Sequence, residues 1–467
     1  MNKRKISFLI FLFVFASTLW FIPHSSKITD QAWHLFSIFT ATILGIILQP
    51  LPMGAITIIS ISSLLITKTL SISQALSGFQ APIVWLVLIS FSIAKGLIKT
   101  GLGARIAYTF VRFFGKSPIG LGYGLLLTDF LLSPAIPSVT ARSGGIVFPV
   151  VESLAKSFNK PHLKRNPIGA YLIQVAYQGS VITSAMFLTA MAGNPLIVAF
   201  AQNVGLSLTW GKWAIAAFIP GLLSLLVLPL VIFKISPPDI KKSPEAVESA
   251  KKVLKDMGPL KRNEKIILGI FVLLLTLWSL GDFFGINATV SALIGISLIL
   301  IFNILEWKEV ASNAIAWETF IWFASLITMA SFLNQFGFIP EIGTFFTQML
   351  DSISWLVSFP ILLLIYFYSH YFFASNTAHI GAMLPVFLAV FISMGTPPML
   401  AILSLAFLSN LCGGLTHYGS GPAPLFYSAG FLTVKKWWAT GFITSLFNLF
   451  IWIGLGSIWW WLLGFLK

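Results

Sequence analysis

The chain has 467 residues, 57% of them hydrophobic and only 9% charged, with a mean hydropathy of +0.91. No soluble domain of this length keeps so much apolar surface from aggregating, and the long runs without alternation exclude a β-barrel, so the composition specifies an all-α polytopic membrane protein. A single cysteine, Cys412, excludes an intrachain disulfide, and the net charge of +15 sits in loops between apolar runs, where it signals cytoplasmic retention of those loops rather than nucleic-acid binding.

The first run, Ile6 to Ile22, follows Met1-Asn2-Lys3-Arg4-Lys5 and ends in Trp20-Phe21-Ile22-Pro23. It lacks the small residues of a signal-peptide cleavage site, so residues 1–30 read as a retained transmembrane helix and its flank. Runs long enough to cross a bilayer follow at 31–48, 53–70, 79–98, 167–203, 212–233, 266–282, 288–305, 317–336, 397–430 and 438–466. Two more stretches, 119–157 and 353–395, are apolar but broken in the middle, and read as re-entrant hairpins that enter and leave on one side. The expected architecture is therefore eleven spans and two hairpins. With the N-terminus inside, the inner segments hold 23 of the 29 Lys and Arg, Lys160, Lys164 and Arg165 among them, and the outer segments hold only Lys27, Lys68, Lys212 and Lys467. This bias places the C-terminus outside, opens the first hairpin inward and opens the second outward. Lys95, near a helix end, reads as snorkelling to the interface.

The chain repeats itself. Ser138-Val139-Thr140-Ala141-Arg142 answers Ser375-Asn376-Thr377-Ala378-His379 at a shift of 237, and Trp85 answers Trp322 at the same shift. Thr209-Trp210-Gly211-Lys212-Trp213 matches Thr433-Val434-Lys435-Lys436-Trp437 at a shift of 224. Three matches in order mark a duplication with halves at 31–233 and 266–467. An odd number of crossings separates the equivalent hairpins, so the halves are inverted. Residues 234–265 form a polar cytoplasmic linker with a short helix expected at 243–255.

Polar and basic groups at membrane depth are costly and so point to function. Inverted repeats with broken helices are the architecture of secondary transporters that work by alternating access. Pro134 and Pro137 break the first hairpin; Ser375-Asn376 and Gly381 break the second. After each break a helix begins, and its unsatisfied N–H groups suit a carboxylate. Ser138, Thr140, Ser375, Asn376 and Thr377 add neutral donors. Plain N-capping explains either motif alone; two at matched positions point to binding. Arg142 and His379 occupy the same place in each copy and could set positive charge behind a doubly anionic substrate. Two structural readings stand beside that one: Arg142 paired with Asp129, and His379 as a hydrogen-bonded core histidine. Second breaks at Ala192-Gly193-Asn194-Pro195 and at Thr416 to Pro424 expose backbone for ligands. They add Asn194, Pro195, Thr416, His417, Gly421 and Pro422 to the candidate contacts, although His417 could equally serve freed carbonyls. No P-loop, HExxH or GxSxG motif is present, so neither an enzyme nor an ATP-driven pump is expected, and no cofactor or metal.

Pro137 to Gly145, Ser375 to His379 and Thr416 to Pro424 together resemble the divalent anion:sodium symporter family, over nearly the whole chain from residue 31. The likeness is nearest to its exchanger branch, the bacterial citrate/succinate antiporters and plastid 2-oxoglutarate/malate translocators. It implies an elevator-type transporter, usually a homodimer, whose hairpin tips, Val139 included, bind the carboxylates. Sodium-coupled members carry Ser-Asn-Thr in both repeats and a hydroxyl one helical turn earlier. This chain has Val139, Pro134 and Tyr371 at those places, and valine offers a sodium ion no oxygen. The expectation is a dicarboxylate antiporter of a bacterial inner membrane, exchanging 2-oxoglutarate with malate or a similar C4 acid. Arg142 and His379 would do the electrostatic work of two sodium ions. A sodium-coupled dicarboxylate symporter and an anion channel are the alternatives.

Overall fold

The computed structural model describes residues 3–158, 166–349 and 353–466. Lys160, Lys164, Arg165 and Lys467 of the charge pattern lie outside the described residues. All regular structure among the described residues is helical. After α1 (Lys3–Phe21) come α2 (Asp30–Leu48), α3 (Met53–Ile66), the short α4 (Ile72–Ala75), α5 (Pro82–Thr100) and α6 (Leu102–Phe114). The first hairpin consists of α7 (Pro118–Leu132) and α8 (Phe148–Ser157). A broken pair, α9 (Pro167–Met186) and α10 (Gly193–Asn203), and then α11 (Trp210–Ile235) complete this series. The connecting segment carries α12 (Pro244–Met257).

The same succession then returns. It runs through α13 (Arg262–Phe284), α14 (Ala288–Ile301), the short α15 (Trp307–Ala311), α16 (Ala314–Gln335) and α17 (Phe338–Met349). The second hairpin is α18 (Trp355–Tyr368) and α19 (Asn376–Ser393), followed by the broken pair α20 (Pro398–Leu411) and α21 (Ala423–Ser428). The last element, α22 (Val434–Leu449), passes through a π-helical stretch, Phe450–Leu455, into α23 (Gly456–Leu462).

Equivalent sequence signals do equivalent jobs in the two series. Thr209 caps α11 by accepting from the Lys212 N–H, and Thr433 caps α22 by accepting from that of Lys436. Ser117 and Ser354 cap the first arms of the two hairpins in the same way. Each cap satisfies an otherwise orphaned N–H. Packing is reciprocal: α5 of the first series lies on α14 and α16 of the second, while α16 lies on α3 of the first.

Among the described residues, eight helices are long and apolar enough to cross a membrane. Both arms of the second hairpin are among them, so the expected eleven crossings are not eleven long helices. Four shorter apolar helices include Met53–Ile66 and Ala288–Ile301. The amphipathic α6 and α17, which precede the hairpins, are elements that the span pattern did not separate. The linker helix forms as expected, starting one residue later and ending two residues later, and packs on α6 through buried Ala246, Val247 and Ala250. Arg105 of α6 pins it there, bonding Glu264 at 2.6 Å and the Gly258 carbonyl at 2.8 Å. Lys95 ends on the Glu309 carbonyl at 2.8 Å, beside the Lys99–Glu309 ion pair.

Candidate functional site

Each hairpin turns over at its motif. The chain leaves α7 through a 3-10 turn, Ser133–Ala135, and starts the return arm with a π-helical stretch, Thr140–Val147. It leaves α18 through Ser369–Phe372 and starts α19 at Asn376. Gly381, expected to help break the second hairpin, lies inside α19; the break is complete before it, because Ser375 is already the N-cap. Ser138 and Ser375 play matched roles. The Ser138 hydroxyl accepts from the Ala141 N–H at 3.1 Å, and the Ser375 hydroxyl accepts from that of Ala378 at 3.3 Å. The Thr140 and Thr377 hydroxyls make no hydrogen bond to protein among the described residues, and both side chains are at least partly exposed. Each tip thus combines a helix start with one uncommitted hydroxyl.

Behind the first tip, Arg142 is completely buried. Its Nε donates to Asp129 at 3.1 Å, and one terminal nitrogen donates to the carbonyls of Ile136 at 2.9 Å and Ala190 at 2.8 Å. The other terminal nitrogen lies 3.4 Å from the hydroxyls of Thr183 and Ser184. Asp129 also accepts from Ser143 and Thr183. The guanidinium therefore fills a cage of oxygen atoms drawn from the hairpin, from the last turn of α9 and from the α9–α10 break itself. Of the two roles open to Arg142 in the sequence, this geometry displays the pair with Asp129, and no edge of the group is left free for a substrate. A planar five-donor cation suits such a cage; an ammonium would not span it.

The second tip has a different interior. His379 is buried, with Nε2 at 3.0 Å from the Tyr366 carbonyl and 2.9 Å from the Ser369 hydroxyl. The Asn376 amide donates to the Ser409 carbonyl at 2.7 Å, tying the tip to the end of α20. Val139, half-buried, stands in the first copy where Asn376 stands in the second.

The broken spans close the ring around both tips. The interruption in the first lies at residues 187–192, so Asn194 and Pro195 belong to the first turn of α10 and not to the break itself. A proline is tolerated there because its missing N–H would have no helical partner anyway. Asn194 donates to the carbonyls of Ser184 and Phe187 and accepts from Asn410 of α20 at 2.8 Å, which joins the two broken spans directly. Tyr177 donates to the Gly413 carbonyl at 2.6 Å and meets the Ser420 hydroxyl at 2.9 Å. Gln178 donates to the Gly414 carbonyl at 2.9 Å. Gly421 is exposed and lies so near the Thr140 hydroxyl that a Cβ there would collide with it. Gly193 faces Ile380, and a Cβ there would also come near the Thr377 hydroxyl, at 3.6 Å. Pro422, buried, caps α21. Thr416 is fully buried, and the half-buried His417 accepts from Trp438 at 3.0 Å.

Sequence reading missed Tyr177, Gln178, Thr183, Ser184 and Asn410. Part of the signal was present: Tyr177, Ser180, Thr183 and Ser184 recur at helical spacing along α9 and share one side of it, while Gln178 lies off that stripe. Spacing could not say that this side faces the tips.

Long apolar helices, two hairpins that turn over at polar tips and two broken spans packed around them define an all-helical, multi-pass membrane transporter. The chain belongs to the divalent anion:sodium symporter family: a family model described as the sodium:sulfate symporter transmembrane region matches residues 3–466. It is 50% identical over 449 residues to the transporter YflS of Bacillus subtilis, covering 96% of this chain and 94% of that one. It is 48% identical to dicarboxylate transporter 1, chloroplastic, of Spinacia oleracea, covering 95% of this chain and 79% of that one. The inner membrane protein YbhI of Escherichia coli is 35% identical, with 99% and 98% covered. Among solved structures, Neisseria gonorrhoeae MtrF matches at a TM-score of 0.56 and 15% identity over 98% of this chain and 95% of that one. That likeness concerns the fold alone.

Proposed function

We propose that this chain is a secondary active dicarboxylate antiporter that exchanges 2-oxoglutarate with malate or a similar C4 acid by alternating access. The spinach relative is named for dicarboxylates and the Bacillus relative for malate. Two tips, each with a helix start and a free threonine hydroxyl, suit a molecule with a carboxylate at either end. Ser138, Thr140, Ser375 and Thr377 are the proposed donors, with Gly421 and Gly193 admitting substrate closely. Arg142, Asn194, Asn376 and His379 hold the tips in shape rather than touch the substrate.

The observation that carries the choice of antiport is the cage around Arg142. In a sodium-coupled carrier, oxygen atoms around a hairpin tip await an ion. Here the cage holds a cation that is part of the chain, and the Val139 side chain offers no oxygen for another. The empty tips also favour exchange. Crossing a dry barrier with two tip donors unpaired costs about 1–3 kcal/mol each, which slows the empty carrier by roughly 30-fold to 10⁴-fold relative to the loaded one. The repeated series, taken as inverted repeats, supports an elevator movement; a homodimer in a bacterial inner membrane with the N-terminus inside completes the reading.

Counterflow in proteoliposomes tests it. Labelled 2-oxoglutarate should enter vesicles preloaded with malate, without sodium, and should not accumulate in empty vesicles. Sodium-dependent uptake into empty vesicles would overturn exchange in favour of symport. Current without saturation or counter-substrate would favour a channel.

A further inference from the structure

Behind the second tip lies a cluster of which the transport reading uses only His379, and that only as a support of the tip. One ring nitrogen of His370, one of His379 and the Sγ of Cys412 all lie within 4.8 Å of one another. All three side chains are fully buried. They come from separate local structures: the 3-10 turn before the tip, the start of α19, and the turn Cys412–Gly414 that ends α20. No carboxylate belongs to the cluster among the described residues.

The hydrogen bonds fix the tautomers. Nε2 of His370 lies 2.7 Å from the Gly419 carbonyl, and Nε2 of His379 lies 3.0 Å from that of Tyr366. A carbonyl only accepts, so each Nε2 carries the proton and each Nδ1 is a bare lone pair. Neither Nδ1 has a hydrogen-bond partner among the described residues. An imidazole held by a carbonyl through one nitrogen and free at the other is the arrangement in which histidine ligates a metal. Two such lone pairs beside the chain's only thiol are otherwise two unsatisfied buried acceptors, which is unfavourable.

We propose that His370, His379 and Cys412 form a soft-metal site that takes Cu(I) and ties the second hairpin to the end of α20. Two nitrogens and one sulfur exclude hard cations, which need oxygen. Charge separates Cu(I) from Zn(II). As the metal–sulfur bond forms, the S–H bond breaks and its proton passes to the bulk buffer, one proton released for each Cu(I) taken up. Cu(I) with one thiolate and two neutral imidazoles is then neutral, whereas Zn(II) would leave a net positive charge in a dry pocket. With bonds of about 2.0 Å to nitrogen and about 2.3 Å to sulfur, a trigonal centre spaces its ligand atoms about 3.5–3.7 Å apart. Closing from 4.8 Å is within the reach of ring and thiol rotation. The filled site holds the hairpin against the broken span and slows exchange.

The test uses the purified full chain in detergent, with Cu(I) kept reduced by ascorbate and a chromophoric Cu(I) chelator in competition. One Cu(I) per chain is expected in the wild type. It should be lost in Cys412→Ser and weakened at least about tenfold in His370→Gln. Since Cys412 is the only cysteine, an ultraviolet copper–thiolate band reports on that residue alone, and it should rise and saturate at one equivalent in the unmodified chain. Absence of the band, retention of no more Cu(I) by wild type than by Cys412→Ser, or displacement of Cu(I) by equimolar Zn(II) would each overturn the proposal. Slowed counterflow with Cu(I) in wild type but not in Cys412→Ser is the expected functional effect. That part alone rests on the transport reading: if dicarboxylate counterflow fails while the band appears, the metal site stands and the transport reading falls.

Discussion

Arg142 shows how much one side chain decides. Breaking a buried ion pair by removing one partner leaves the other charge uncompensated and costs about 3–5 kcal/mol. Arg142→Ala should therefore lower the unfolding temperature sharply, and adding Asp129→Asn should recover part of that loss, as measured by thermal unfolding of both variants in detergent. A folded Arg142→Ala protein with normal stability but no substrate binding would instead make Arg142 a direct ligand. The pair was legible in the sequence as one of two readings, since Asp129 stands in the opposing arm of the same hairpin. Thr183 and Ser184 were not legible as its neighbours, because nothing in a linear pattern fixes how the α9–α10 break approaches the tip.

Helix starts and breaks carry the next scale. The matched pairs Ser138 with Ser375, Ser117 with Ser354, and Thr209 with Thr433 are caps in the structure, so hydroxyls at matched positions of the two series mark element boundaries. Glycine was a poorer guide. Gly381 has room within α19 and breaks nothing, while Gly421 and Gly193 matter because another element approaches them closely. The amphipathic α6 and α17 do not stand out as long apolar runs because they are short and carry a polar face. At this scale the two tips should behave alike. A hydrogen bond to a charged group contributes about 1.5–3 kcal/mol, so Thr140→Val and Thr377→Val should each raise the KM for 2-oxoglutarate in counterflow by about tenfold or more. Both hydroxyls lack protein partners among the described residues, so unfolding temperatures should stay near wild type. A loss of stability with unchanged KM would assign these threonines to packing.

For the whole molecule, α5 packs on α14 and α16 on α3, a unit shared by the two series, and in the proposed elevator movement this unit is the frame for the hairpins and broken spans. Asn203, at the end of α10, meets Ser331 of α16 at 3.2 Å and accepts from Asn334 at 2.8 Å, so it bridges the proposed moving part and the frame. Asn203→Cys with Ser331→Cys, joined by a short bismaleimide, should abolish counterflow while substrate still binds, as read by equilibrium binding in detergent. Unimpaired counterflow after complete cross-linking would rule out movement between these surfaces. The buried Cys412 should not compete for the reagent. The caged guanidinium has a thermodynamic consequence at this scale. A cation built into the polypeptide makes no net journey across the bilayer. In an exchange of one dianion for another no charge is moved either, so the membrane potential does no work on the cycle. Under the proposed exchange, flux stops when the inside-to-outside ratios of the two dicarboxylates are equal, and metabolism on either side, rather than any ion gradient, sets the direction.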